Sequence, residues 1–173
     1  MGFSAPGFGT KSGGAVAQLA AQTLSANSGS IAFPGLSQSY RALVIMGNIH
    51  SEEAVTQDHL VVTFNGDAVD ANYQIQQMLA DSSAYSARHL ASSGLWCTVN
   101  GNTYQTFSTV TITVPAYIGT GLIIAQILGS CSYHVEQGAG IWNGPGPVTD
   151  LAFSLSSGAD FSAGSSVAIY GYQ

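Results

Sequence analysis

The segment Val148-Thr-Asp-Leu-Ala-Phe-Ser-Leu-Ser-Ser-Gly-Ala-Asp-Phe-Ser-Ala-Gly-Ser-Ser-Val-Ala-Ile-Tyr-Gly-Tyr172 carries the clearest strand pattern in this chain of 173 residues. In its first half, Leu151, Phe153 and Leu155 alternate with small or polar residues, and apolar residues recur with the same period after Ser165. A period of two directs alternate side chains toward a core, as in a half-buried strand. The segment therefore predicts two strands that close a sheet.

The connection between these two strands has the composition of a tight turn. Gly158 and Gly164 can adopt positive φ angles at little steric cost, and Phe161 supplies an apolar side chain between them. We therefore predict that Phe161 anchors the turn in the core.

The rest of the sequence continues as short apolar runs separated by turn residues. Their spacing of roughly 8–15 residues, with no long helical period, is typical of an antiparallel β-sandwich. We predict an all-β fold, an antiparallel β-sandwich of jelly-roll topology, although the sequence leaves other Greek-key orders open. The predicted strands are Ser30–Phe33, Tyr40–Ile49, His59–Asn65, Tyr73–Leu79, Leu95–Val99, Ser108–Tyr117, Leu122–Tyr133, Thr149–Leu155 and Ser165–Tyr172.

The N-terminal residues differ from this pattern. Residues 1–14 contain five glycines, two serines and a proline, a composition that predicts an extended arm. Val16, Leu19 and Thr23 have helical spacing, so a short helix is possible within residues 14–24. We divide the chain into an arm at residues 1–29 and a sandwich domain at residues 30–173.

The composition suits a protein that packs against other subunits. Charged residues make up 7% of the chain, against about 25% in an ordinary soluble domain. A surface rich in uncharged polar residues is hydrated but only weakly self-repelling. The length is sufficient for one domain that buries roughly two-thirds of its unfolded surface.

Charge and hydropathy argue against two classes of partner. The chain has three basic residues, Lys11, Arg41 and Arg88, and a formal charge of −6. Nucleic-acid binding needs clustered Lys and Arg, so we expect none. The longest apolar run, Leu122 to Leu128, is the length of a strand and is too short to span a membrane.

Cys97 and Cys131 are expected to be reduced, although a disulfide bond is possible if their strands adjoin.

The densest polar cluster is Asn65-Gly-Asp-Ala-Val-Asp-Ala-Asn72. Asp67, Asp70 and Asn72 could offer oxygen ligands to calcium. However, Asn-Gly is a strong signal for a hairpin turn, and the carboxylate spacing of a calcium loop is missing. We therefore expect a turn, with no metal and no cofactor.

The four histidines are isolated in the sequence and form no pair with metal-ligand spacing. His50 and Glu52 could belong to an acid–base site only if folding brought a nucleophile close to them. No Gly-x-Ser-x-Gly motif is present. We therefore expect no enzymatic activity.

Aromatic residues outnumber the basic ones, with eight tyrosines and two tryptophans. Tyrosine is enriched at protein interfaces, although most of these rings could simply pack on the sandwich. Trp142 follows Ile141 and precedes Asn-Gly-Pro-Gly-Pro147, so either an exposed contact or a position at the edge of the core is consistent with the sequence. The candidate interface residues are Phe3, Phe8, Lys11, Trp142 and Tyr172.

Three blocks of the sequence resemble β-sandwich virion proteins of tailed bacteriophages, in the same order. They are Ile31-Ala-Phe-Pro-Gly-Leu-Ser-Gln-Ser-Tyr-Arg-Ala-Leu-Val-Ile-Met-Gly47, Asp58-His-Leu-Val-Val-Thr-Phe-Asn-Gly-Asp67 with Asn72-Tyr73, and the closing segment. The likeness covers residues 31–172. Where that pattern has a basic residue before Ser51, this chain has His50.

The resemblance implies a capsid decoration or cement protein on the outer capsid surface of a virion that is assembled in the host cytoplasm. Its expected partners are the major capsid protein and further copies of itself in a homotrimer. The alternative is a tail-fibre or receptor-binding domain that binds a glycan through exposed Tyr and Trp side chains.

Overall fold

A computed structural model describes residues 16–81, 85–119, 121–132 and 134–173, with the backbone alone described for residues 85–91. The described residues form twelve β-strands and one short 3-10 turn at Asp70–Asn72. The strands are β1 (Val16–Thr23), β2 (Ile31–Phe33), β3 (Ala42–Ile49), β4 (Gln57–Phe64), β5 (Tyr73–Asp81), β6 (Tyr85–Ala91), β7 (Leu95–Asn100), β8 (Ser108–Val114), β9 (Ile123–Ser130), β10 (His134–Trp142), β11 (Leu151–Leu155) and β12 (Ser166–Tyr172).

The strands form two antiparallel sheets, which confirms the predicted β-sandwich. The large sheet has the order β1-β12-β3-β8-β9-β10-β5-β6, and the small sheet has the order β2-β11-β4-β7. Alternate residues of the central strands are buried, as in β9, where Ile123, Ala125 and Ile127 point inward and the residues between them are exposed. The two-residue period of the sequence therefore sets which face meets the core.

Eight of these strands have jelly-roll connectivity. The quartets β1-β12-β3-β8 and β2-β11-β4-β7 lie in opposite sheets, and the chain passes between them in the sequence of two nested Greek keys. The remaining four strands form two hairpins. β5–β6 is inserted between β4 and β7, and β9–β10 is inserted between β8 and β11. Both hairpins join the large sheet beyond β8.

A single apolar core lies between the sheets. Its largest fully buried side chains include Trp142, Tyr73, Tyr117 and Phe64, and burial of each large apolar side chain stabilises the fold by about 1.5–3 kcal/mol. Where β7 crosses beneath the hairpin strands, the large sheet carries glycine. A Cβ at Gly140 would collide with Leu95 of β7, so the absence of a side chain allows this close approach.

The closing segment folds as the sequence predicts. β11 and β12 are strands, Gly158 and Gly164 have φ angles of 78° and 91°, and the Phe161 side chain is completely buried. Backbone bonds join Phe161 to Ser28, with Phe161 N donating to Ser28 O at 2.8 Å. The turn is thus anchored to the segment that follows β1.

The predicted short helix at residues 14–24 is wrong, because Val16–Thr23 is strand β1, antiparallel to β12. Pairing with an existing edge outweighs a weak helical spacing. The boundary at residue 30 is also wrong, since the large sheet already includes Val16. Strands β6 and β10 are not among the predicted strands. Residues 1–15 lie outside the described residues.

Candidate functional site

Two of the five candidate interface residues, Trp142 and Tyr172, lie within the described part of the chain. Phe3, Phe8 and Lys11 lie outside the described residues. Tyr172 lies at the end of β12, opposite Val16 of β1, and 38% of its side chain is exposed. Trp142 is completely buried, so the exposed-contact interpretation is wrong and the residue belongs to the core.

Trp142 is held in place by the polar turn that follows β4. Its Nε1 donates to Oδ2 of Asp67 at 2.8 Å, and its ring packs edge-on against Phe64 at 5.5 Å between centroids. An indole is readily buried when its N–H finds such an acceptor. The aromatic residue after Ile141 therefore fixes one end of the sandwich.

The same contact bears on the calcium alternative. Asp67 Oδ2 also accepts from Asn72 Nδ2 at 2.9 Å, and Oδ1 accepts from Val69 N at 2.9 Å. The hydrogen bond from Trp142, followed by that from the Val69 amide, holds the pKa of Asp67 below its ordinary value. N–H groups that point at both oxygens oppose a cation there. In the described part of the chain, no cluster of three or more His, Cys, Asp or Glu residues could hold a metal ion.

Asn65 and Gly66 form the predicted turn, with φ angles of 54° and 69° and a bond from Asp67 N to Phe64 O at 2.9 Å. The turn does not close a hairpin, although Asn-Gly is a common hairpin signal. β4 lies in the small sheet and β5 in the large one, so the turn carries the chain across the core.

Folding does bring a hydroxyl to His50. Its Nδ1 lies 2.5 Å from Ser162 Oγ, and its Nε2 lies 2.6 Å from the carbonyl oxygen of Tyr104. Because a carbonyl only accepts, Nε2 donates to it, and in the neutral imidazole Nδ1 then accepts from the serine hydroxyl. This is the orientation of a serine with its general base.

The surroundings of Ser162 do not suit acyl transfer. Its side chain is 7% exposed, and the three backbone N–H groups from Ser162 to Gly164 already donate to other protein acceptors at 2.8–2.9 Å. A tetrahedral oxyanion needs such donors unoccupied. The His50–Ser162 bond therefore fastens the closing turn to the loop after β3.

A second polar cluster lies at the same end of the sandwich. Asp58 is buried and accepts from the hydroxyls of Ser51, Ser156 and Ser157 at 2.6–3.0 Å, and from His59 N at 2.7 Å. Desolvation raises the pKa of Asp58, but these hydrogen bonds outweigh it and hold the pKa below its ordinary value. The carboxylate stabilises the loops and offers no open coordination.

The sheets have four edges, and two of those edges are blunted. β2 is only three residues long. The outer edge of β7 is covered by side chains of the large sheet: Gln77 Nε2 donates to Trp96 O at 2.5 Å, and Thr98 N donates to Glu136 Oε2 at 2.9 Å. Short strands and covered edges are the means by which proteins prevent edge-to-edge association.

The two edges of the large sheet differ from each other. β6 contains Arg88 and His89, and charged residues discourage strand pairing. β1 has eight residues with neither charge nor proline, and among the described residues it pairs with β12 alone. A bulge near Leu19 interrupts its register. β1 is therefore a long edge without charged protection.

The outer face of the large sheet carries a depression of about 900 Å³, which we call the trough. It crosses β8, β9, β10 and β5. The side chains on the outer face that line it are Gln76, Met78, Thr111, Thr113, Gln126, Leu128, Gln137 and Ala139.

Neither the trough nor the β1 edge is predicted by the sequence pattern. Both depend on strands that are distant in sequence. The sequence of Gln137, Ala139 and Ile141 on one face of a strand was the available local signal, because a small residue between long ones leaves space above a sheet.

Comparison with known proteins returned no match to a protein-family model, to a curated sequence or to a solved structure. Among the described residues, no helix has the length and apolar character needed to cross a membrane.

Proposed function

We propose that this protein is a structural protein of a tailed-bacteriophage virion, a decoration protein that binds the outer capsid and links neighbouring major capsid subunits. The sequence resemblance supports the virion class, and the jelly-roll connectivity agrees with it. The observation that carries the assembly role is the outer edge of β1, with which no other described strand pairs.

An edge strand with unpaired N–H and C=O groups can accept a strand from another chain, which adds main-chain hydrogen bonds at once. β1 follows directly after residue 15, so the N-terminal segment and the edge belong to the same region of the sequence. Val16 is 55% exposed and lies opposite Tyr172, which is 38% exposed. These two side chains provide apolar contact area at the start of the edge.

The proposed partners are the major capsid protein and other copies of this chain in a homotrimer. Chains linked head to tail can close into such a ring without any catalytic chemistry. Phe3, Phe8 and Lys11 are proposed contacts of the same assembly.

The test is binding to purified capsids that lack this protein. We expect the double variant Gln18→Lys and Ala21→Lys to lose capsid binding in co-sedimentation, because lysine on an edge opposes strand addition. Both positions are exposed, so thermal unfolding of the variant should match that of the wild type. The control is Ala32→Lys, at an exposed position of β2 in the small sheet. Capsid occupancy equal to that of the wild type for the double variant would refute assembly through β1.

Copy number distinguishes the head from the tail. Quantitative mass spectrometry of intact particles should give hundreds of copies for a decoration protein. A handful of copies would favour the tail-fibre or receptor-binding alternative.

A further inference from the structure

The trough owes its depth to one small residue on the outer face of β10, because Ala139 forms the floor. In register with Ala139 are Gln126 of β9 and Gln76 of β5. Long side chains on the flanking strands thus rise around a floor that has only a methyl group.

The walls combine free amides with apolar groups. No hydrogen bond forms within the described structure at the side-chain amides of Gln76, Gln126 and Gln137. Each amide has two donor hydrogens and a carbonyl acceptor, and all three side chains are exposed. Met78 and Leu128 are 62% and 53% exposed. The trough therefore presents unused hydrogen-bonding capacity beside apolar surface.

Among the described side chains that line the trough, none is Lys, Arg, His, Asp or Glu. These side chains offer no counter-charge to an anionic ligand and no carboxylate to a metal ion, so their chemistry favours a neutral ligand.

The amides also argue against a dry contact with another protein. A buried amide without a partner costs about 1–3 kcal/mol, and three of them lie within one apolar patch. A sugar hydroxyl both donates and accepts at its oxygen, so hydroxyls can hydrogen-bond the NH2 group and the carbonyl oxygen of each glutamine amide. The C–H faces of a sugar ring can meanwhile contact Met78 and Leu128.

We propose that the trough is a binding site for a neutral oligosaccharide. The volume of about 900 Å³ lies within the range of about 300–1,000 Å³ for small-ligand sites. From β8 to β5 the trough crosses three strand spacings, about 14 Å, which suits several linked sugars rather than one. This site goes beyond the capsid role. The trough lies three strand positions from β1, so it stays accessible when a strand of another chain pairs with β1.

The experiment uses the full chain and named probes. Maltohexaose, mannohexaose and N-acetylchitohexaose are the neutral oligosaccharides, and hexagalacturonate is the anionic counterpart. Titrations followed by ¹H–¹⁵N NMR should shift the side-chain amide signals of Gln76, Gln126 and Gln137 with at least one neutral probe and leave them unchanged with hexagalacturonate.

Variants then locate the site. Gln137→Leu removes an amide at similar size and should weaken binding of that probe by about tenfold, the loss of one good hydrogen bond. Ala139→Trp should abolish binding, because it fills the floor. The matched control is Gln74→Leu, an exposed glutamine of β5 outside the trough, which should bind as the wild type does.

Three outcomes would overturn the proposal: no binding of any neutral probe, equal binding of hexagalacturonate, or equal losses for Gln74→Leu and Gln137→Leu. Sedimentation velocity provides a further check. A change of oligomeric state in Ala139→Trp without any glycan binding would reassign the trough to a protein contact. None of these results depends on capsid binding, so the assembly role is tested separately.

Discussion

Glu136 of the large sheet accepts a hydrogen bond at Oε2 from the backbone N–H of Thr98, 2.9 Å away in the small sheet. Glu136 is 1% exposed, and its other oxygen, Oε1, has no hydrogen-bond partner among the described residues, so the bond to Thr98 N is the contact that holds the side chain. The N–H that it satisfies lies on the edge of β7. One inward-pointing acid thus joins the two layers and covers an edge that would otherwise be open to other chains.

The first prediction compares two replacements of Glu136. Glu136→Gln keeps an oxygen acceptor for Thr98 N, whereas Glu136→Leu removes it and leaves a buried donor without this bond. We expect the leucine variant to be less stable than the glutamine variant by about 1–3 kcal/mol. Urea denaturation measures the difference. A leucine variant as stable as the glutamine variant would show that the bond contributes nothing net.

The second prediction concerns the closing turn. Phe161 is fully buried, so Phe161→Ala should lower the free energy of unfolding by about 3–5 kcal/mol through lost burial and a residual cavity. Phe107→Ala is the control, because that ring is 44% exposed and should matter less. Denaturant melts of both variants measure the loss in free energy of unfolding. Equal losses for Phe161→Ala and Phe107→Ala would contradict the prediction.

Gly164 provides a third test. Its φ is 91°, and an added Cβ would lie 3.2 Å from Phe107 Cζ. Gly164→Val should therefore destabilise more than Gly164→Ala, because a β-branched residue is strongly disfavoured at positive φ and also meets the ring. Thermal melting temperatures should fall in the order wild type, alanine, valine. A valine variant with the same melting temperature as the wild type would exclude strain at this position.

The fourth prediction is a dependence of stability on pH. The pKa of Asp58 is lower in the folded protein than its ordinary value of 3.8. Its contribution is thus present above that value and is lost as the pH falls through the folded pKa. We expect wild-type stability to decline below about pH 4, and Asp58→Asn to decline less steeply over the same range. Urea midpoints of both proteins, measured from pH 7 to pH 2, test this. If the midpoints fall in parallel, Asp58 does not cause the loss of stability at low pH.

Local features of the sequence were sufficient for part of this fold. The alternation of Leu151, Phe153 and Leu155 predicted β11, and the glycines around Phe161 predicted the turn, because each depends on neighbours in the chain. β1 could not be predicted in this way. Its strand conformation depends on β12, which lies more than a hundred residues further along the sequence.

The candidate sites were still less accessible to sequence reasoning. The trough joins Gln76, Gln126 and Gln137, which come from three strands, and strand order is a long-range property. Trp142 illustrates the opposite error. Its turn-like surroundings suggested exposure, whereas an acceptor on Asp67, in the distant turn after β4, allows complete burial.

The jelly-roll connectivity and the outer face around the trough are formed largely by different strands. Jelly-roll connectivity depends on the other eight strands, so substitutions on the outer face of β5, β9 and β10 leave the crossing pattern of the chain intact. The exposed residues of these strands outside the trough can therefore diversify while the core remains constrained. Related chains should differ most at positions equivalent to Gln74 and Ile124, and a library randomised there should retain a high proportion of folded members.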